Sequence, residues 1–447
     1  MQEASARRQG IYYGWFVVAS VATMLAITAG ARFLFGVVLK PVSEEFGWAR
    51  ADLAKAVTIN VILLSCLQPL IGILVDRWGS RPILLLGVVG TALMALPITF
   101  ATQLWQIYLF YSVIAAFAFA ATSPVNTTKL VAGWFTKRRS LALSIATSGG
   151  PIGQLLVIPV ATLIMVNYGW RISYWALAGV AVVAMLPLGI WLVRDAPPGT
   201  TDDPDAVEAE DTGRHARGLQ RGATRAGEVA VTLKRAVASA PYWQLSFGFF
   251  VCGYTMSFTQ VHMVPYILDM PEHAGMAMQT VASGALAVVG ACSIAGSLLM
   301  GILADRLGHK PLLTVTYFLR GLSFLILLVA GSYVPGIFIA AIVLGISWTS
   351  TTPLTAAISA DIYGQASLGT IFGFIFSAMN IGSAVGVYIA GLDFDLTGNY
   401  HLSLLANGFL GFAAAAIVQG VRVRSLVPQP TPVSSLPDDG RTQPVLG

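Results

Sequence analysis

The sequence is short of charge. Asp, Glu, Lys and Arg together make up 11% of its 447 residues, against about 25% in soluble domains. So few charges cannot cover a soluble surface. With apolar residues at 56%, the surplus must face lipid. Cysteine is scarce as well. Cys66, Cys252 and Cys292 all fall inside apolar runs, which argues against disulfides and against a zinc site and leaves small packing residues. There is no Gly-x-x-x-x-Gly-Lys-Ser/Thr loop to cradle a nucleotide. No Cys/His pair, metal cluster or paired carboxylates converge at a common depth, so neither an enzyme, a metal nor a cofactor is expected. The net charge of +5 is not a nucleic-acid signal, because the basic residues sit in loops flanking the apolar runs.

What is present is a series of long apolar runs. Twelve reach about 20 residues, the length a bilayer core requires. The first, from Ile11 to about Leu39, is far longer than the core of a cleavable signal peptide. Backbone polar groups in lipid must be satisfied within the segment, so the runs are expected to be helices. The expected fold is all-α, with twelve transmembrane helices in two pseudo-symmetric six-helix bundles around a central cavity.

One stretch organises the chain and occurs twice. Gly72-Ile-Leu-Val-Asp76-Arg77-Trp-Gly79-Ser-Arg81-Pro82 returns 229 residues later as Gly301-Ile-Leu-Ala-Asp305-Arg306-Leu-Gly308-His-Lys310-Pro311. Pro124 and Pro353, Gly153 and Gly382, and Gly169 and Gly398 keep the same offset. Each copy reads as a tight charged loop between two membrane helices. Parallel repeats of six helices build one large class of transporters.

Charge distribution sets the expected orientation. Seven of the 26 Lys and Arg (Arg32, Lys40, Arg50, Lys55, Lys129, Arg171, Arg320) lie in spans or in loops of one side. The others lie at the N-terminus, the even-to-odd loops and the C-terminus, which are therefore expected to be cytoplasmic. The expected organisation is an N-terminal bundle over 1–193, a cytoplasmic linker over 194–240, a C-terminal bundle over 241–425 and a disordered tail over 426–447. Within the linker, Val229–Val237 could form a short amphipathic helix.

Ionisable groups inside spans are functional candidates by default. Arg32 is the sharpest: a guanidinium in the outer part of the first helix could hold a carboxylate through two parallel hydrogen bonds. The alternative is an Arg that snorkels to the headgroups. His262 falls at nearly the same depth in the seventh helix, and Tyr254, Phe258 and His262 share a face. His262 could carry a proton or simply pack. Arg320 lies mid-helix in the ninth span, with a structural role somewhat favoured. Lys129 lies one turn from Asn126 and could attract an anion or snorkel. Gln154, Trp348, Thr352 and Asn380 add polar or aromatic groups on other spans.

The repeated loop resembles the signature of the major facilitator superfamily, and the resemblance covers nearly the whole chain. A narrower resemblance, to the monocarboxylate transporter and oxalate/formate antiporter branch, rests on Tyr12-Tyr13-Gly14-Trp15 and Trp134-Phe135-Thr136-Lys137-Arg138-Arg139-Ser140-Leu141-Ala142. Asp361-Ile-Tyr-Gly364 and Phe394-Asp395-Leu-Thr-Gly398 are similar to bacterial members. Human-type members carry a basic residue near the place of Arg32, judged from Trp15. One departure stands out. The branch usually has an Arg deep in the eighth helix, where this sequence places Ser293 and Ser297.

Together these imply a secondary transporter of a small organic anion, a mono- or dicarboxylate, coupled to a proton or working by exchange. It would be a monomer in a bacterial inner membrane. Gly72, Asp76, Arg77, Gly79, Arg81, Gly301, Asp305, Arg306, Gly308 and Lys310 would form the gating loops. The rival readings are an exporter of drug-like or amphipathic compounds and a non-transporting membrane sensor.

Overall fold

A computed structural model describes residues 12–197, 233–268, 276–330 and 333–426. Every regular element among them is helical. The first six long helices are α1 (Tyr13–Phe46), α2 (Arg50–Trp78), α3 (Ser80–Ile98), α4 (Leu104–Trp134), α5 (Arg139–Tyr168) and α6 (Trp170–Leu192). The second six begin with α7 over 240–268, in which Ala240–Ser257 passes through a π turn, Phe258–His262, into Met263–Leu268. They continue with α8 (Met276–Leu307), α9 (His309–Ala330), α10 (Val334–Tyr363), α11 (Leu368–Thr397) and α12 (His401–Gln419). By length and composition, eleven helices can cross a membrane. The twelfth is α7, continuous but wound through its π turn. The twelve expected spans are therefore twelve helices, the first running on past Leu39 to Phe46.

Turn chemistry explains the sharpest reversals. Gly79 (φ 89°) joins α2 to α3 and Gly308 (φ 92°) joins α8 to α9. Only glycine adopts such angles without Cβ strain. Two spans are broken rather than continuous. In α4 the helix stops at Ala121 and restarts at Pro124, and in α10 it stops at Trp348 and restarts at Thr351. Pro124 and Pro353 sit in the first turn of the restarted segments, where a missing N–H costs nothing, whereas Pro69, Pro151 and Pro159 are accommodated inside continuous helices.

The two halves pack by the same rule. α1 lies against α5, where a Cβ on Gly149 or Gly153 would collide with the carbonyls of Ala22 and Ala26. α7 lies against α11, where Gly253 and Gly382 meet the carbonyls of Met379 and Phe250 in the same way. Small residues let membrane helices approach closely without any hydrophobic drive between them.

The buried core divides unevenly. One cluster is shared by both halves and contains Trp134, Phe135 and Leu143 with Ile362, Tyr363 and Phe372. A second belongs to the first half alone, around Phe35, Ile98 and Tyr174. A third belongs to the second half alone, around Phe258, Ile267 and Tyr400. Among the described residues, the halves thus share a core at the end that carries Asp76 and Asp305 and have separate cores at the other.

The boundaries hold one surprise. Asp195, which falls in the expected linker, belongs to the first bundle: its carboxylate accepts the N–H groups of Ser80 (3.0 Å) and Arg81 (3.3 Å) and caps α3. Of the expected amphipathic helix, Leu233–Val237 is helical, and 229–232 lies outside the described residues. So do 198–232 of the linker and the tail beyond 426.

Candidate functional site

The repeated loops cross-brace the bundles. The Asp76 carboxylate, at the end of α2, accepts the N–H groups of Gly369 (3.0 Å) and Thr370 (2.6 Å) at the start of α11. Asp305, at the end of α8, accepts those of Ser140 (2.8 Å) and Leu141 (3.0 Å) at the start of α5. A carboxylate suits a helix N-terminus, whose first N–H groups lack partners and whose dipole end is positive. Gly72 and Gly301 make the approach possible, since a Cβ would strike the carbonyl of Gly369 or the hydroxyl of Ser144. Lys129 forms an ion pair with Asp76 and donates to the Val75 carbonyl at 3.2 Å. Arg139 reaches Asp361 at 2.9 Å, and the other oxygen of Asp361 receives His309 Nδ1 at 2.6 Å. Arg77 and Arg306 are exposed. Arg81 donates to the Ile190 carbonyl at 2.5 Å.

The motifs that carry the narrower resemblance meet here. Tyr12 donates its hydroxyl to the Trp134 carbonyl at 2.6 Å. Phe135 packs edge-on against Tyr12 and Trp15, with ring centroids 5.5 and 4.8 Å apart. Asp361, from the third motif, takes Arg139, from the second.

Beyond this closed end lies a cavity of about 460 Å³ between the bundles, a size suited to a small molecule. α1, α2, α4 and α5 line it from one side, and α7, α10 and α11 from the other. Its floor forms where Gly373 meets the Gln68 carbonyl and Ser377 donates to the Ser65 carbonyl at 3.1 Å. Arg32 opens onto it. Among the described residues, Arg32 is the one charged side chain in the wall, and no carboxylate faces it. Gln154, Trp348, Thr352 and Asn380 also line the cavity.

Other candidates stand elsewhere. Asn126 is buried and donates to the carbonyls of Ser80 (3.2 Å) and Ala121 (2.8 Å). Lys129 is held by Asp76, as above. Tyr254 is buried behind the wall, against Gly386. His262 lies between the Val387 carbonyl (3.1 Å) and the Tyr400 hydroxyl (3.4 Å). Arg320 is fully buried between α7 and α10.

The cavity also has polar lining that sequence reasoning passed over, including Thr28, Asn60, Gln68, Tyr111, Gln260 and Ser383. A signal for most of these existed. Thr28, Arg32 and Gly36 recur every four residues, as do Asn60, Leu64 and Gln68, Met256 and Gln260, and Phe376 and Asn380. That spacing makes one stripe along each helix. At the positions where the branch resemblance would place an Arg, Ser293 and Ser297 are buried and neither lines the cavity.

Comparison with known proteins agrees with this architecture. The family model of the Major Facilitator Superfamily matches residues 21–293 and 261–446. The uncharacterised transporter YcxA of Bacillus subtilis is 27% identical, with 87% of this chain and 90% of that protein covered. Human monocarboxylate transporter 11 is 27% identical, with 92% and 83% covered. Among solved structures, the Escherichia coli fucose:proton symporter FucP superposes with a TM-score of 0.68 at 14% identity, covering 90% of this chain and 97% of that one. With the family matched along nearly all of the chain and its fold reproduced, the protein is an integral membrane transporter of the major facilitator superfamily.

Proposed function

We propose that the protein moves a small organic anion, most simply a monocarboxylate, by alternating access. Arg32 carries this reading. A guanidinium at membrane depth needs a partner or water, and its cavity offers no carboxylate among the described residues. A substrate carboxylate supplies one, through two parallel charge-assisted hydrogen bonds. The wall around it is mixed. Gln154, Gln260 and Asn380 offer amide donors and acceptors, while Leu25, Phe119 and Met379 offer apolar surface. The relatives named as monocarboxylate transporters support the same substrate class.

The basic loops face the cytoplasm by the positive-inside rule, with both chain ends on that side of a bacterial inner membrane. The cavity then faces outward. Asp76 and Asp305 latch the cytoplasmic side, and their release would let the bundles rock about the site. The energy source is a proton or a counter-anion gradient, and the unit is a monomer. An amphipathic cargo leaving the cell is the second reading, favoured by the apolar part of the wall.

The test is thermal stabilisation of the purified protein by acetate, pyruvate, succinate, benzoate and neutral analogues of each, beside an Arg32→Gln variant. A carboxylate is expected to stabilise the parent, with its apparent affinity falling at least tenfold in the variant. Stabilisation by neutral analogues alone would replace the anion reading with the amphipathic one.

A further inference from the structure

Among the described residues Arg320 has no carboxylate partner and its Nε has no acceptor, yet both terminal nitrogens are directed at specific acceptors. From the middle of α9, Nη1 donates to the Cys252 Sγ of α7 at 2.8 Å. Nη2 donates to the carbonyls of Ser347 (2.6 Å) and Trp348 (2.7 Å) in α10. Those two residues end the first segment of α10, just before the interruption at Thr349 and Ser350. An interruption at membrane depth leaves carbonyls without intrahelical donors, and lipid offers none.

The chain contains its own control. The matching interruption in α4 is closed by uncharged side chains: Ser123 caps the restarted helix by accepting the Val125 N–H at 3.3 Å. Its hydroxyl also donates to Gln68 Oε1 at 2.9 Å. In α10 the restarted helix has no side-chain cap, and Ser350 turns its hydroxyl back to the Ile346 carbonyl at 3.0 Å. The residue 229 positions before Arg320 is Thr91, whose hydroxyl bonds within its own helix, to the Gly87 carbonyl. Among the described residues, only the second half uses a cation from a neighbouring helix at its break.

The break is also cavity wall: Trp348, Thr349 and Thr352 all line the site. We propose that Arg320 is a positioning residue of the transport site. Its planar fork pins the α10 interruption and so fixes where Trp348 and Thr352 stand, without itself binding the cargo. A guanidinium suits this because it spans several acceptors in one plane, which an ammonium cannot do. The inference rests on the cavity being the transport site, and its test needs no cargo, so its failure is distinguishable from failure of the anion reading.

The experiment is hydrogen–deuterium exchange on the purified full-length protein. Arg320→Gln and Arg320→Lys are compared with the parent over 345–356, with the α4 break over 118–128 as reference. Arg320→Gln is expected to speed exchange at 349–355 at least tenfold, with 118–128 within twofold of the parent. Arg320→Lys is expected to fall between. Unchanged exchange at 349–355, or an equal rise in both breaks, overturns the proposal. If Arg320→Gln does not fold, Arg320→Lys alone is read by the same criteria. A second readout separates positioning from bulk stability. In a Thr352→Cys background, adding Arg320→Lys should change the labelling rate of that thiol by a charged methanethiosulfonate at least fivefold, with the melting temperature within 2 °C or so. An unchanged rate overturns the positioning role.

Discussion

Asp76 and Gly369 sit 293 residues apart in sequence, and the carboxylate of one accepts the backbone N–H of the other at 3.0 Å. Asp305 and Ser140 make the mirror contact at 2.8 Å. Each loop aspartate thus ties the end of one bundle to the first turn of a helix in the other.

Neutralising these carboxylates should loosen the closed end. Asp76→Asn or Asp305→Asn keeps the shape and removes the charge. Charge-assisted bonds contribute roughly 1.5–3 kcal/mol each, so the closed form should lose about tenfold or more in population. The measurement is labelling of a cysteine placed at Ser377 from the closed side, expected to rise in either variant. No rise in either would show that the carboxylates do not hold the closed form.

Gly72→Ala and Gly301→Ala should act on the same equilibrium by crowding. The new methyl meets a backbone carbonyl in the first case, which cannot swing away. In the second the nearest atom is the Ser144 hydroxyl at 2.5 Å, which can, with the Ser144 Cβ (2.9 Å) and the Ser140 carbonyl (3.0 Å) behind it, a looser fit than the approach to the Gly369 carbonyl. Overpacking of this kind costs about 1–3 kcal/mol, and Gly72→Ala should show the larger rise in labelling. Equal effects would contradict the contact geometry.

Gly153→Ala tests the intrabundle seam instead. Its Cβ would strike the Ala26 carbonyl, so α1 and α5 must separate. The expected result is a fall of several degrees in melting temperature, whereas Gly150→Ala, whose Cβ meets open space, should leave it within a degree or so.

At the other end of the first bundle, Glu45 accepts Trp170 Nε1 at 2.7 Å and pairs with Arg171 at 2.7 Å. The Trp170 hydrogen bond, more than the Arg171 charge, holds its carboxyl below the usual 4.5, with slight burial opposing. A lowered folded-state value means stabilisation present above the unfolded value and lost as pH falls through the folded one. Melting temperature should therefore drop below about pH 4.5 more steeply in the parent than in Glu45→Gln. The pair is two-fifths exposed, so the difference should be small and weaken in high salt. A steeper drop in the variant would reverse the sign.

Much of this was legible in sequence because it is local or periodic. Scarce charge forces an apolar exterior, run length sets the spans, and a fixed offset of 229 residues between two charged loops implies two like bundles. The two broken helices were not legible: Pro124 and Pro353 read only as landmarks of the repeat, and Pro69, Pro151 and Pro159 lie inside continuous helices, so proline alone does not mark a break. Arg32 stands out because a charge inside an apolar run is rare. Partner choice was not legible. Asn126, Lys129, His262 and Arg320 all look like candidates by depth and chemistry. Yet each is engaged by atoms far along the chain: Ser80, Asp76, Val387 and Ser347. Which face of a helix meets the cavity depends on the rotation of that helix against its neighbours. In lipid, both faces can be apolar, so periodicity gives the rotation no sign. Sequence determined the helices, their repeat and their charged turns. Only packing decided that the halves join at one end, leaving Arg32 in the open cavity and Arg320 sealed behind its wall.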